Sequence, residues 1–162
     1  MQVTIDLTGF LAIWGAVMST VAIVWDIYKW RTTGPNLQMR LMTGMETYNI
    51  PEYEGMTLIV AVVTNRGDRP TTINILGLAY YNAWWKAILR KKASASAFIA
   101  TPSTTQRVPF ELKSGIEWSG MIEQSKELET WAREGYLYVT VYHSHDKKPM
   151  RQRVVLKESK AR

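Results

Sequence analysis

The sequence predicts an all-β domain that follows a single N-terminal transmembrane helix, and two observations carry this prediction. From Leu7 to Trp25 no side chain is charged, and a run of that length can cross the hydrocarbon of a bilayer as a helix. After Pro35 the spacing of apolar residues changes from helical to about two, the period of strands. The expected organisation is a transmembrane helix at 1–31, a linker at 32–35, a cytosolic β-domain at 36–157 and a polar tail at 158–162.

Composition narrows the classes of function. The chain contains no cysteine, which excludes a disulfide scaffold, a thiolate metal site and a cysteine nucleophile. Its net charge of +6 favours an anionic partner without selecting one. Seven tryptophans and eight tyrosines against three phenylalanines are typical of membrane interfaces and contact surfaces. Because the mean hydropathy of the whole chain is slightly negative, any membrane segment must be local.

Apolar residues surround the predicted N-terminal helix on all sides, unlike those of a surface helix. Residues 1–9 contain Asp6 and no Lys or Arg, and the run ends at the bulky Trp25 and Tyr28. We therefore expect a retained span and not a cleaved signal peptide. Polar and glycine residues within the segment leave one alternative, a central helix buried in a soluble core.

The C-terminal end of this segment carries the residues of a membrane interface. Its aromatic belt and basic residues are the expected anchor: Trp25, Tyr28, Lys29, Trp30 and Arg31. Since the other end of the span has no basic side chain, positive-inside reasoning places the N-terminus outside and the C-terminal domain in the cytoplasm, at a bacterial inner membrane. Gly34 and Pro35 are expected to end the helix.

Small side chains recur at four-residue spacing within the predicted span. The candidate helix-packing residues are Ala12, Gly15, Ala16 and Ser19. Such spacing lets helices approach closely in lipid, so it favours a homo-oligomer formed through the span. Small residues are also common in spans that do not associate, and this alternative stays open.

The β-domain contains about seven short β-rich runs separated by turn-forming residues, the pattern of an immunoglobulin-like β-sandwich. The runs are 37–42, 57–64, 71–81, 96–101, 116–123, 135–145 and 151–157. One short helix interrupts them, with Ser125 as its predicted N-cap and Gly135 as its predicted end. Leu128, Trp131 and Ala132 form its predicted buried edge. In such sandwiches a short helix crosses between the sheets before the penultimate strand.

Three stretches carry a resemblance to known proteins. They are the span ending WDIYKW…GP, the turn VTNRGDRPTTI leading into LGLAYY, and the late segment GYLYVTVYHSHDKKP. Together they resemble small uncharacterised bacterial single-pass membrane proteins with a cytosolic immunoglobulin-like all-β domain. The resemblance covers most of the chain and implies this organisation. It implies no activity and no catalytic residue.

Motifs for chemistry are scarce. His143 and His145 are the two histidines of the chain and lie on one side of a predicted strand, with Asp146 next to them, so they are the candidate metal ligands. Solvated polar residues before a Lys-Lys-Pro turn are the commoner explanation, and we expect no metal and no cofactor. The sequence lacks a nucleophile elbow, a Walker A loop, a dinucleotide fingerprint and a zinc-protease motif, so we expect no enzyme. The RGD at 66–68 fits an ordinary turn.

The segment NAWWKAILRKK, residues 82–92, is more informative. As a helix it would place apolar residues on one face with cations beside them, the composition of an interfacial anchor on anionic lipid. The candidate lipid- or ligand-contact residues are Trp84, Trp85, Lys86, Arg90, Lys91 and Lys92. In the alternative, one of these tryptophans fills the core of the sandwich and the basic run is a solvated loop.

Two functions follow from these observations. The first is a membrane-anchored, non-enzymatic interaction module, an adaptor or subunit of a complex at the cytoplasmic face of the inner membrane. The second is an oligomerising membrane effector whose basic domain senses an anionic ligand, such as a nucleotide, and perturbs the membrane. The expected partners are the membrane and a protein. DNA and RNA are not expected.

Overall fold

The computed structural model of the protein describes residues 7–156, and the chain divides after Gly34 into two compact units. The predicted polar tail at 158–162 and Lys157 lie outside the described residues. The helices are α1 (Leu7–Thr32), α2 (Trp84–Ile88) and α3 (Lys126–Glu134), with a 3-10 helix at Pro51–Tyr53. The strands are β1 (Leu37–Glu46), β2 (Thr57–Asn65), β3 (Thr71–Tyr81), β4 (Ala95–Ile99), β5 (Phe110–Leu112), β6 (Glu117–Glu123), β7 (Tyr136–His143) and β8 (Met150–Arg153).

Helix α1 is long and apolar enough to cross a membrane, and none of its apolar window, Leu7–Trp30, is buried. This length and composition are those of the predicted span. Two hydroxyls inside the helix donate to its own backbone, Ser19 Oγ to the carbonyl of Gly15 and Thr20 Oγ1 to that of Ala16, each at 2.8 Å. Because hydrocarbon offers no water to hydrogen-bond, this internal pairing lowers the cost of polar residues in a span.

The β-domain consists of two antiparallel sheets. The three-stranded sheet has the order β1-β2-β6, and the five-stranded sheet has the order β4-β3-β7-β8 with β5 also paired to β3. Alternate side chains of β2 and β6 from one sheet and of β3 and β7 from the other enter the same hydrophobic core. The prediction of an all-β domain behind an apolar N-terminal helix is therefore confirmed.

A fully buried tryptophan, Trp118 on β6, occupies the core. Its indole Nε1 donates to the carbonyl of Gln106 at 2.9 Å, so the one polar atom of the ring is satisfied. Trp84 and Trp85 are exposed by 59% and 41%. The alternative that one of these two fills the core is therefore wrong.

Asn65 joins three parts of the domain at the end of β2. Its side-chain oxygen accepts hydrogen bonds from the backbone N–H of Asn36 and of Gly67, and its Nδ2 donates to the carbonyls of Arg69 and Leu112. The side chain is fully buried, and all four bonds keep it satisfied there. The β2–β3 turn, which contains the RGD sequence, is therefore held by a structural amide.

Helix α3 follows the sequence prediction. Ser125 caps its N-terminus by accepting a hydrogen bond from the N–H of Leu128, and the helix ends before Gly135. Its Trp131 and Ala132 pack with Leu128 against the core. The helix connects β6 of one sheet to β7 of the other, the penultimate strand, as expected.

Three local predictions need correction. The described chain has eight strands where about seven are expected from the pattern, because the three-residue strand β5 is too short to show a period. The sheets are accompanied by more than the one short helix of the fold prediction: besides α3 there are a 3-10 helix and α2, which lies in the segment 82–92 that was considered as a helix. The strand β7 ends at His143, so His145 lies in the following connection and not beside it on a strand.

Candidate functional site

A trough with a volume of about 640 Å³ opens on the outer face of the five-stranded sheet. This volume falls within the range of small-molecule sites. The name "basic trough" is used below for the surface formed by its floor and aromatic walls (Gly77, Phe98, Thr140 and Tyr142) and its cations (Arg90, Lys147, Lys148 and Arg151). Its residues come from four strands and two connections, so the tertiary fold assembles it.

The floor of the basic trough follows from strand register. Gly77 on β3 lies opposite Phe98 on β4 and Thr140 on β7, and Thr140 lies opposite Arg151 on β8. A Cβ added at Gly77 would lie 3.0 Å from both the carbonyl oxygen of Ala97 and the Oγ1 of Thr140. Because Gly77 has no side chain, the floor is recessed at this position. The row carries the aromatic ring of Phe98 at one end and the guanidinium of Arg151 at the other.

Two aromatic side chains flank the floor. Phe98 is 74% exposed although it is apolar, and Tyr142 is 44% exposed. Phe98 belongs to β4, an edge strand of the sheet. An exposed aromatic ring beside a concave surface is suited to stacking on a planar ligand.

Arg151 has an incompletely satisfied guanidinium. Its Cζ lies 5.0 Å from the ring centroid of Tyr138, which fixes the side chain by a cation–π contact. Its Nη1 is buried and has no hydrogen-bond partner among the described residues. A buried donor without an acceptor is unfavourable, and the positive charge of this guanidinium at the trough favours an anion there.

The β7–β8 connection presents Lys147 and Lys148 at the trough. Ser144, at the start of the connection, donates its backbone N–H to the carbonyl of Thr72 and accepts from the N–H of Thr72 through its hydroxyl, which ties the connection to β3. The backbone N–H of Lys148 donates to Asp146 Oδ1 at 3.1 Å. That hydrogen bond is the main reason why the pKa of Asp146 lies below its usual value.

Arg90 reaches the trough from the end of α2. Its backbone is left-handed, with φ of 49°, and its N–H donates to the carbonyl of Ala87 at 3.2 Å. This left-handed residue ends α2 in a Schellman motif, in which the N–H of Lys91 also donates to the carbonyl of Lys86 at 3.0 Å. Ala87 is buried and anchors α2 to the sheet.

The charged side chains among the described lining residues of the basic trough are all positive. Four cationic side chains line it, and no Asp or Glu among residues 7–156 does. Charges of one sign around a concave surface focus the field and attract ions of the opposite sign. The arrangement can therefore bind an anion and stack a ring.

The "α2 surface" consists of the exposed residues of the segment that the sequence singled out. Its apolar members Trp84, Trp85, Ile88 and Leu89 are all exposed. The Nζ of Lys91 lies 5.1 Å and that of Lys86 lies 5.6 Å from the ring centroid of Trp85, while Lys92 is exposed beyond them. The predicted helix is present but short, and it exposes both its apolar and its basic side chains.

The candidate metal ligands are not brought together. His143 is partly buried at the end of β7, whereas His145 and Asp146 are exposed in the next connection. Within residues 7–156 no group of three such side chains could hold a metal ion. Burial lowers the pKa of His143, the nearby His145 lowers it further, and Asp146 acts in the opposite direction.

The predicted membrane-interface residues lie in the last turns of α1, where the rings of Trp25 and Tyr28 are 6.1 Å apart. Lys29 and Trp30 follow in the same helix, and the side chain of Arg31 lies outside the described part of the chain. The predicted packing residues are exposed along α1: Ala12, Gly15, Ala16 and Ser19.

Sequence reasoning identified one of the four trough cations, Arg90. It treated Lys147 and Lys148 only as turn residues and did not select Arg151 or Phe98. The sequence contains a pattern that could have predicted these cations: a Lys-Lys-Pro turn is followed by Arg-x-Arg in the next strand. Residues two apart on a strand share a face, so the two arginines lie on the same side of the sheet.

Comparisons with known proteins add little. No family model matches the sequence, and no curated protein matches it. A crystal structure described as an ApaA protein from Bordetella pertussis aligns with a TM-score of 0.34 and 9% sequence identity, over 76% of this chain and 92% of that chain. We draw nothing about fold or function from a likeness at this level.

Proposed function

We propose that the protein is a membrane-anchored, non-enzymatic binding module that recognises an anionic ligand on the cytoplasmic side of a bacterial inner membrane. Helix α1 is the span, and the two sheets form an immunoglobulin-like sandwich that carries the site. The observation that carries the proposal is the basic trough, in which four cations meet without a carboxylate among the described lining residues.

Binding without catalysis fits the chemistry of the trough. Its described lining side chains include hydroxyls and cations, but no carboxylate or imidazole that could act as a general base. The hydroxyl of Thr140 therefore has no adjacent base to activate it. Such a set of residues can bind and orient an anion.

The α2 surface supports a second contact with lipid. It combines four exposed apolar side chains with nearby lysines, the composition that binds the headgroup region of an anionic leaflet. The connection from α1 to β1, residues 33–36, is short. A short tether gives the domain a high effective concentration of lipid.

Anion binding is tested on the full-length protein in lipid nanodiscs with inorganic tripolyphosphate as the probe. We expect saturable binding that weakens as salt rises, because exposed cations make the contact. The double variant Lys147→Glu with Lys148→Glu should lose binding. The matched variant Lys91→Glu with Lys92→Glu changes the same charge outside the trough and should keep it. Equal loss in both variants would contradict a localised site.

Topology is tested by cysteine labelling, since the chain has no cysteine of its own. A single Ser114→Cys substitution places a thiol in an exposed turn of the β-domain. A membrane-impermeant maleimide should label it only after spheroplasts are lysed. Labelling of intact spheroplasts would place the domain outside and overturn the proposed orientation.

Lipid contact by α2 is tested in the same cysteine-free background. An environment-sensitive fluorophore on Ile88→Cys should shift to the blue in nanodiscs with anionic lipid and less in neutral ones. The same fluorophore on Lys113→Cys is the control, because Lys113 lies in an exposed turn elsewhere. Identical spectra at both positions would remove α2 from the lipid interface.

The outer face of the three-stranded sheet favours a second candidate function, a protein adaptor. Met42, Val60 and Met121 lie side by side across its three strands. None of them is fully buried, and Met42 is 41% exposed. Apolar and methionine-rich surfaces suit protein partners. A stoichiometric partner that co-purifies with the wild type and is lost in Val60→Lys would support this candidate.

The effector alternative adds a change of assembly to ligand binding. It expects the small-residue face of α1 to associate more strongly when the trough is filled. Native mass measurement of the detergent-solubilised protein, with and without tripolyphosphate, distinguishes the effector from the simple binding module. A ligand-dependent oligomer supports the effector, and a constant mass supports the simple binding module.

A further inference from the structure

We infer that the ligand of the basic trough is a nucleoside phosphate, with its base stacked at Phe98 and its phosphates bound by Arg151, Lys147 and Lys148. This inference rests on the proposed anion-binding function and names the chemical class of the ligand. It depends on where the rings and the charges lie relative to each other in the sheet.

Aromatic and cationic groups occupy opposite ends of one cross-strand row. Phe98, Gly77, Thr140 and Arg151 lie on four adjacent strands in that order. Neighbouring strands are about 4.8 Å apart, so the row spans about 14 Å from the backbone of Phe98 to that of Arg151. A molecule that fills this row needs a planar apolar end and an anionic end. A nucleoside phosphate has both.

The apolar end has room for a base. Phe98 is 74% exposed, and its neighbour in the row is a glycine, so no side chain projects from the floor directly opposite the ring. A base lying over Gly77 would contact the phenyl face and leave its own edges in solvent. Stacking of this kind tolerates any base, because every base has a π-face. The trough therefore favours nucleotides as a class and does not select one particular base.

The anionic end has the donors that a phosphate chain requires. Arg151 lines the trough and is held by its contact with the ring of Tyr138. A guanidinium fork binds phosphate oxygens in pairs, whereas Lys147 and Lys148 act as mobile point charges. Arg90, at the end of α2, is a fourth cation that lines the trough. Several phosphates could be neutralised together.

The hydroxyl of Thr140 lies between the two ends. Thr140 is buried on the floor, with Oγ1 beside Gly77, where a ligand crossing the row would meet it. A hydroxyl can donate or accept, so it suits a sugar hydroxyl or the bridging part of the ligand. The row thus offers stacking, hydroxyl and cationic groups in the order base, sugar, phosphate.

The test uses full-length protein in nanodiscs and four probes: ATP, inorganic tripolyphosphate, adenosine and inositol trisphosphate. We expect ATP to bind at least about tenfold more tightly than tripolyphosphate, since base stacking adds to the charge contacts. Adenosine should bind more weakly than ATP. Inositol trisphosphate, which carries phosphates on a non-aromatic ring, should show no advantage over tripolyphosphate.

Matched variants separate the two ends of the site. Phe98→Ser should lower the affinity for ATP by more than the affinity for tripolyphosphate, and so remove the advantage of ATP. Tyr48→Ser removes another exposed aromatic residue, one that is 84% exposed and outside the trough, and should change neither. Lys147→Glu with Lys148→Glu should weaken both probes by more than tenfold. The melting temperature of each variant shows whether it has folded.

Each outcome has a distinct meaning. Equal affinity for ATP and tripolyphosphate, or for ATP and inositol trisphosphate, overturns the nucleoside phosphate and leaves the proposed anion-binding function standing. Retention of the ATP advantage in folded Phe98→Ser also overturns the inference. Failure of every anionic probe to bind overturns the proposed function itself.

Discussion

The guanidinium of Arg151 lies 5.0 Å from the ring centroid of Tyr138, and this contact holds a cation over the outer face of the five-stranded sheet. One row along the same strands, Arg153 lies 4.5 Å from the ring centroid of Tyr136. Arg151 lines the basic trough, whereas Arg153 does not. The two pairs have the same chemistry and differ in their access to the proposed ligand, so each serves as a control for the other.

Replacing Tyr138→Leu should weaken the binding of ATP. The lost cation–π contact is worth about 0.5–1 kcal/mol, which corresponds to about two- to fivefold in affinity. Tyr136→Leu removes the matching contact under Arg153 and should leave the affinity unchanged. Fluorescence or calorimetric titration of both variants measures the difference. Equal losses would indicate a general effect on the sheet and not positioning of Arg151.

Arg90→Gly should weaken anion binding without lowering the stability of the β-domain. The φ of 49° at this position strains any residue with a side chain, and glycine adopts it freely. We expect the free energy of unfolding to stay equal or to rise by up to about 1 kcal/mol, while the affinity for tripolyphosphate falls because one trough cation is lost. Urea unfolding and ligand titration of the same preparation give the two values. A variant that is clearly less stable would contradict the strain at Arg90.

The stability of the β-domain should fall below neutral pH because of His143. Burial lowers the pKa of this histidine in the folded protein from its ordinary value of 6.5. The unfolded chain therefore binds a proton as the pH falls through 6.5, before the folded protein does, and this uptake lowers the free energy of unfolding. The contribution of His143 is fully present above that pH and is lost below it.

The measurement is the urea midpoint at several pH values between 7.5 and 5. His143→Gln should flatten the dependence in this window. His145→Gln, which changes the neighbouring exposed histidine, should keep most of it. Because the pKa of Asp146 is also lowered, its effect appears only at more acidic pH, below its ordinary value of 3.8. An unchanged slope in His143→Gln would show that burial of this imidazole does not control the dependence.

Gly120→Ala should destabilise the core. A Cβ at this position would lie 2.5 Å from Cη2 of Trp118 and 2.9 Å from Cδ2 of Leu76, distances at which atoms overlap. The indole cannot move easily, because its Nε1 is bonded to Gln106. Overpacking of this kind costs about 1–3 kcal/mol. Ser119→Ala, on the other face of β6, is the control and should change the unfolding free energy much less.

Much of the fold could be predicted because it depends on local patterns. The run from Leu7 carries no charge through a full span length, the serine cap and terminal glycine delimit α3, and the period-two run 71–81 coincides with β3. Elements with few residues have sequence patterns too short to predict them. The strand β5 has three residues and exists because its backbone pairs with Thr71–Ile73, a partner that is distant in sequence.

The choice of core tryptophan also needed tertiary contacts. Three tryptophans lie in segments rich in apolar residues: Trp84, Trp85 and Trp118. Composition alone does not predict which of them is buried in the core. Trp118 becomes the core residue because β6 pairs with the central strand β2 and directs that side chain inward, toward Leu76. The helix α2 instead uses the small Ala87 for its buried contact and exposes both larger rings.

The sequence by itself determined an apolar span-length helix, a basic chain without cysteine and a domain of short strands, because these properties depend on composition and on periods of a few residues. The tertiary structure alone decided where the cations meet. Arg90, Lys148 and Arg151 come from separate connections and strands, and only the register of β4, β3, β7 and β8 brings them to one face around Gly77. Charge is a property of each residue, but a binding site depends on distances that the pairing of remote strands creates.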